Sequence, residues 1–123
     1  MNGWATTIKS GVLFISRKET NPWVRFQMNR DTAITSITVV NRKNCCGERL
    51  MNLEIRAGME NNMNNQVVGY FHGPGETNKE YTIRLSKEVK ARYISILMKT
   101  AEYLQINGIK LNLEPILSEG NIK

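Results

Sequence analysis

Short stretches in which apolar and polar residues alternate, each halted by turn chemistry, constrain this chain more than anything else in it. Val24, Phe26 and Met28 alternate with Trp23, Arg25 and Gln27, the two-residue period of a half-buried strand. Leu53 and Ile55 alternate with Glu54 and Arg56, Tyr81, Ile83 and Leu85 with Thr82 and Arg84, and Ile109, Leu111 and Leu113 with Lys110, Asn112 and Glu114. Ala33–Asn41 is dense in β-branched residues, whose stiff χ1 angles suit a pleated surface. Ala91–Met98 carries apolar groups on both faces, as a central strand does. Val67–Phe71 and a weaker Val12–Ile15 complete the set. Between them lie the Asn-rich Met59–Gln66 and the breaker Gly73-Pro74-Gly75. No long amphipathic helical pattern intervenes, so the spacing predicts an all-β chain: an antiparallel sandwich or barrel of about eight strands, not a βαβ fold.

At 123 residues the chain has room for a real core and is read as a single domain, 1–123, without internal repeat or composition shift. Ser118–Lys123 is expected to fray as a flexible tail. No run of 18 apolar residues exists, so no transmembrane helix and no membrane insertion are expected. Met1–Trp4 does not open a basic and then apolar leader, so no signal peptide is visible. The net charge is +6, but the 17 basic residues are scattered, and even Lys87, Lys90 and Arg92 are interrupted by Glu88. Phosphate binders concentrate charge in a patch, so the pattern is that of a solvated surface and no nucleic-acid partner is expected.

Enzyme motifs are missing. There is no G-x-S-x-G elbow, no H-E-x-x-H, no phosphate-cradling glycine loop and no C-x-x-C pair. The one histidine, His72, sits in a turn with no fixed partner, and the carboxylates are dispersed. No catalytic residue is assigned. The exceptional stretch is Asn41-Arg42-Lys43-Asn44-Cys45-Cys46-Gly47-Glu48-Arg49-Leu50. Its adjacent cysteines allow two readings: reduced loop thiols, or a disulfide closing a small strained ring. A metal site is a poor fit, because soft sites want four ligands and no further cysteine exists. A disulfide would present a rigid apolar plate flanked by two guanidinium forks, and that combination suits the C–H face and hydroxyls of a saccharide.

Asn21-Pro22-Trp23-Val24-Arg25-Phe26, Thr35–Arg42, Cys45–Leu50 and Glu54-Ile55-Arg56 together resemble the strand–loop–strand signature of the fucolectins, or F-type lectins. Arg92-Tyr93-Ile94-Ser95-Ile96 and Glu102-Tyr103-Leu104 are similar to later segments of that family, so the likeness spans about residues 21–113 and leaves 1–20 unmatched. The resemblance implies a discoidin-like jelly-roll β-sandwich, a vicinal disulfide Cys45–Cys46 packing against fucose, and Arg42 and Arg49 as sugar-binding arginines. The family's third anchor is a histidine before the Trp23 strand. None stands there, and His72, lying after the cysteine pair, does not correspond. The family also holds a structural calcium. Its Cys-Glu ligand pair is matched here by Asn107-Gly108, so the carboxylate is lost and no metal ligand is assigned.

The function implied is a secreted, non-enzymatic lectin module for fucosylated glycans or glycoproteins, with a homo-oligomer compatible with that role. The alternative is a discoidin-like adhesion or scaffold module that has lost sugar binding.

Overall fold

The computed structural model describes residues 5–7 and 13–112. Val12 of the weak Val12–Ile15 segment, the end of the Ile109–Glu114 segment and the expected tail at Ser118–Lys123 lie outside the described residues. Ten strands follow in order: β1 (Ala5–Thr7), β2 (Phe14–Ile15), β3 (Glu19–Thr20), β4 (Trp23–Val40), β5 (Leu53–Gly58), β6 (Gln66–Phe71), β7 (Glu80–Met98), β8 (Ala101–Glu102), β9 (Gln105–Ile106) and β10 (Ile109–Leu111). Pairing is antiparallel except that β1 runs parallel to β4.

The alternating segments around Val24 and Ile37 are one continuous strand, and so are those around Ile83 and Ile94. β4 and β7 pair along their whole lengths, from Trp23 opposite Leu97 to Val40 opposite Glu80. Two bulges interrupt the ladder. Residues 28–31 of β4 stand opposite Arg92 alone, and residues 85–88 of β7 stand opposite Thr35 alone. A bulge bends its strand and frees main-chain groups that need new partners. Arg92 supplies them at the first, donating to the carbonyls of Met28 at 3.1 Å and Asn29 at 3.2 Å and to Asp31 Oδ1 at 3.1 Å. Asn112 serves the second. Its Oδ1 accepts the Thr35 and Ser36 N–H groups at 2.7 and 2.9 Å, and its Nδ2 donates to the Ala33 carbonyl at 2.7 Å.

The bends divide the chain into two layers. β1, the first half of β4, the second half of β7, β5 and β6 make one. The second half of β4, the first half of β7 and β10 make the other. Val24, Phe26, Ile55, Ala57, Ile94, Ile96, Ile37 and Val39 form the core between them, most of them fully buried. The inward set switches parity after Ile34 in β4 and after Ala91 in β7, because the bulges shift the two-residue period. Phe71 of β6 meets Tyr81 of β7 across the layers with ring centroids 4.6 Å apart. Gly69 admits Ile83, whose methyl occupies the place a Cβ would take.

Doubling back brings both ends of β4 to the same end of the sandwich. There the Met98 N–H donates to the Pro22 carbonyl, and the Asn41 N–H to the Lys79 carbonyl. The connections 41–52, 72–79 and 99–104 therefore gather on one rim, with the Asn-rich 59–65 loop beyond the far end of β5. Two-residue ladders, β2 with β9 and β3 with β8, tie the N-terminal stretch to this rim. On the outer face Arg25 is buried, held by Ser95 Oγ at 2.9 Å and lying 4.6 Å from the Trp23 ring centroid. Burial pushes its guanidinium below the ordinary arginine value.

Candidate functional site

The connection 41–52 is built on Asn41, which is buried where β4 ends. Its Nδ2 donates to the carbonyls of Gly47 at 3.1 Å and Glu76 at 2.9 Å, while its Oδ1 accepts the Arg42 N–H at 2.8 Å. One side chain thus ties both arms of the loop to the neighbouring 72–79 connection. That connection returns the grip: Thr77 Oγ1 accepts the Gly47 N–H at 2.9 Å, and the Gly75 N–H donates to the Leu50 carbonyl at 2.8 Å. Gly47 is packed so closely on Thr77 that a Cβ there would overlap the Thr77 main chain.

Within this clamp Cys45 and Cys46 form a disulfide, S–S 2.01 Å with Cα atoms 3.7 Å apart. Of the two sequence readings of the pair, the ring is the one present. Cys46 takes left-handed backbone, φ 66°, and starts a short 3-10 turn over Gly47–Arg49. Arg42 precedes the ring and Arg49 follows it, and all four residues are half-buried. Arg42 Nε donates to Asn44 Oδ1 at 2.9 Å and its Nη1 to Gln105 Oε1 at 2.9 Å. These leave Nη2 without a partner among the described residues. The Arg49 guanidinium lies 4.7 Å from the Tyr103 ring centroid and makes no hydrogen bond to any of the described residues. A cation over an aromatic face is held in place without spending its N–H donors. The loop therefore carries a small ring that two arginines flank in sequence, one held by Asn44 and Gln105 and the other over Tyr103.

Sequence reasoning missed Asn44, Tyr103 and Gln105 as supports. Tyr103 stands within a quoted segment but carried no assigned role, and Gln105 gave no local signal, since its contact with Arg42 exists only after folding. Gln105 is 1% exposed, and its Nε2 has no partner. His72 is exposed and belongs to a groove farther along the same rim.

The implied calcium does not fit what is described. The matching pair, Asn107 and Gly108, brings no carboxylate, and the main chain of both is engaged with Val40. Glu19 Oε2 is buried without a partner in β3, opposite Glu102 of β8. No group of three or more His, Cys, Asp or Glu converges among the described residues, and calcium takes six to eight oxygens.

A two-layer β-sandwich with its candidate site on rim loops at one end defines a discoidin-like module. The chain belongs to the NedA-like, galactose-binding domain family, whose model matches residues 6–96. It is 36% identical over 95 residues to fucolectin-6 of Anguilla japonica, covering 75% of this chain and 49% of that one. Among solved structures it is similar to the serum fucolectin of Morone saxatilis (striped bass), with TM-score 0.72 and 31% identity over 80% of this chain and 35% of that one. A fucose binding module of Streptococcus pneumoniae shares the fold at TM-score 0.65 and 17% identity, covering 85% and 76% of the two chains. The chain spans about half the length of the fucolectins it matches in Anguilla japonica. The first two of these relatives are named as fucolectins and the third as a fucose binding module.

Proposed function

We propose that the chain is a carbohydrate-binding lectin module for fucose or fucosylated glycans. Arg42 and Arg49 donate hydrogen bonds to ring and hydroxyl oxygens, and the Cys45–Cys46 ring packs against an apolar sugar face. The observation that carries this reading is a disulfide flanked in sequence by two arginines whose guanidinium groups are held by neighbouring side chains and keep N–H donors unspent among the described residues. Planar forks match paired sugar oxygens, and an apolar plate matches a C–H face. The names of the fucolectin relatives support the choice of sugar. The reading places the module outside the cell, where a disulfide persists and where the serum fucolectin of striped bass is found.

A second reading is favoured by one observation: no histidine precedes Trp23 to supply a third polar anchor. On that reading the module is a discoidin-like adhesion or scaffold unit that no longer holds sugar. A glycan array run with and without reductant separates the two. Fucosylated glycans should be retained by the oxidised protein and weakened by reductant. A folded, oxidised protein that captures none of them would establish the second reading.

A further inference from the structure

The rim carries a second recess that the fucose reading leaves unused. It is an open groove of about 310 Å³ lined by Asn52, Leu53, Tyr70, Phe71, His72 and Lys99. Its frame is fixed by main-chain bonds. Asn52, in left-handed backbone at φ 52°, donates its N–H to the His72 carbonyl at 3.0 Å and accepts the Lys99 N–H at 2.8 Å. The side chains above this frame are uncommitted. Asn52, Tyr70 and His72 are exposed, and their side chains make no hydrogen bond to any of the described residues. Tyr70, at 62%, is the most exposed large apolar-bodied side chain among the described residues. The Lys99 ammonium is 4.0 Å from Glu54, whose carboxylate already takes a 2.9 Å bond from Arg56. One carboxylate thus faces two cations, and Lys99, with 53% of its side chain exposed, is the one left at the open edge.

An open aromatic face, an amide, an imidazole and a surplus ammonium are the groups that recognise a sugar bearing an anionic substituent. We propose that this groove is a second glycan subsite, for a carboxylate- or sulfate-bearing sugar residue. Tyr70 is its platform, Lys99 the partner of the anion, and Asn52 and His72 its hydroxyl contacts. Its place on the rim connects it to the first site. Asn52 ends the connection that carries Arg49, and Lys99 begins the one that carries Tyr103 beneath Arg49. A branched glycan seated by its fucose can therefore reach the groove without crossing the sandwich. The claim that both sites serve one glycan rests on the fucose reading. Binding of an anionic sugar at the groove does not.

The test titrates the oxidised protein with a neutral fucosylated trisaccharide and with its sialylated and sulfated forms. At low salt one or both anionic forms should bind about fivefold tighter than the neutral one, the gain expected of an exposed ion pair. That gain should shrink as salt is added. Tyr70→Ala and Lys99→Gln, both at exposed positions, should remove the gain while leaving neutral-trisaccharide affinity within about twofold. Which anionic form gains decides between carboxylate and sulfate. Equal affinities for all three forms, or a gain that survives both substitutions, would overturn the proposal. If no fucosylated probe binds, the fucose reading fails and the groove is judged alone. Methyl sialoside and a methyl sulfo-galactoside should then shift the amide resonances of Asn52, Tyr70 and Lys99, and no longer do so in Lys99→Gln. Their failure to move those resonances would sink the subsite.

Discussion

Gln105 does at residue scale what a carboxylate could not: it holds an arginine in place while leaving its charge uncancelled. Its amide oxygen accepts from Arg42 Nη1, and the site keeps the full positive charge of both guanidinium groups. The arrangement has a cost, because the buried Nε2 is unpartnered, and an unsatisfied buried donor costs about 1–3 kcal/mol. Gln105→Met, of similar volume, should therefore melt at the same temperature as the parent or higher. Sugar affinity should fall nonetheless, as Arg42 loses its acceptor. Melting and fucose titration measured together check this, and unchanged affinity would show that Gln105 does not position Arg42. The arginines give the complementary case. Arg42 serves Asn44 and Gln105 through separate nitrogens, and a lysine ammonium cannot span both while also meeting a sugar. Arg42→Lys and Arg49→Lys should each lower fucose affinity about tenfold or more, with folding intact at these half-buried positions. Parent-like binding by both variants would remove them from the site.

At the scale of elements, the 72–79 connection anchors the 41–52 connection to the fold, while the disulfide fixes only the local backbone within it. A bond between adjacent residues closes no chain loop and scarcely restricts the unfolded ensemble. Reduction, or Cys45→Ser with Cys46→Ser, should leave the melting temperature nearly unchanged. The same treatment removes an apolar contact and frees the backbone between Arg42 and Arg49. Affinity should then drop about tenfold to a hundredfold. A collapsed melting temperature with unchanged affinity would assign the cysteines to the fold instead. Gly47→Ala should differ from reduction by lowering stability as well as affinity, since its Cβ meets the main chain of Glu76 and Thr77. Circular-dichroism melts and titration separate the two behaviours. Much of this was legible beforehand. The alternating runs mark the strands of both layers, and the rare cysteine dipeptide between arginines marks the loop. Alternation could not show that Trp23–Val40 and Glu80–Met98 are continuous, because bulges reset the period that reveals a strand. Two-residue ladders such as β3 with β8 are too short to have a period at all. Tyr103 and Gln105 meet the arginines only through tertiary contacts, on which local pattern is silent.

The described residues form one sandwich with the candidate site on its rim, so conditions that spare the core should spare the frame of that site. Chelation is one. With Asn107 and Gly108 standing where a carboxylate ligand would be needed, chelator should shift the melting temperature little. A fall of many degrees would reveal a structural cation. The sharing of β4 and β7 between both layers has a further consequence, in time rather than in space. Neither layer can be finished alone, because each uses half of the same two strands, and registering them brings Trp23 opposite Leu97 and Val40 opposite Glu80. Such distant partners must find each other before much of the pairing can reward the search, which places folding in the slow range of β-sandwiches, about milliseconds to seconds. Once joined, the shared strands have no private route to opening. Their amides, those of Val24, Phe26, Ile94 and Ile96, should exchange with solvent only through global unfolding, while the rim loops should exchange through smaller, local openings.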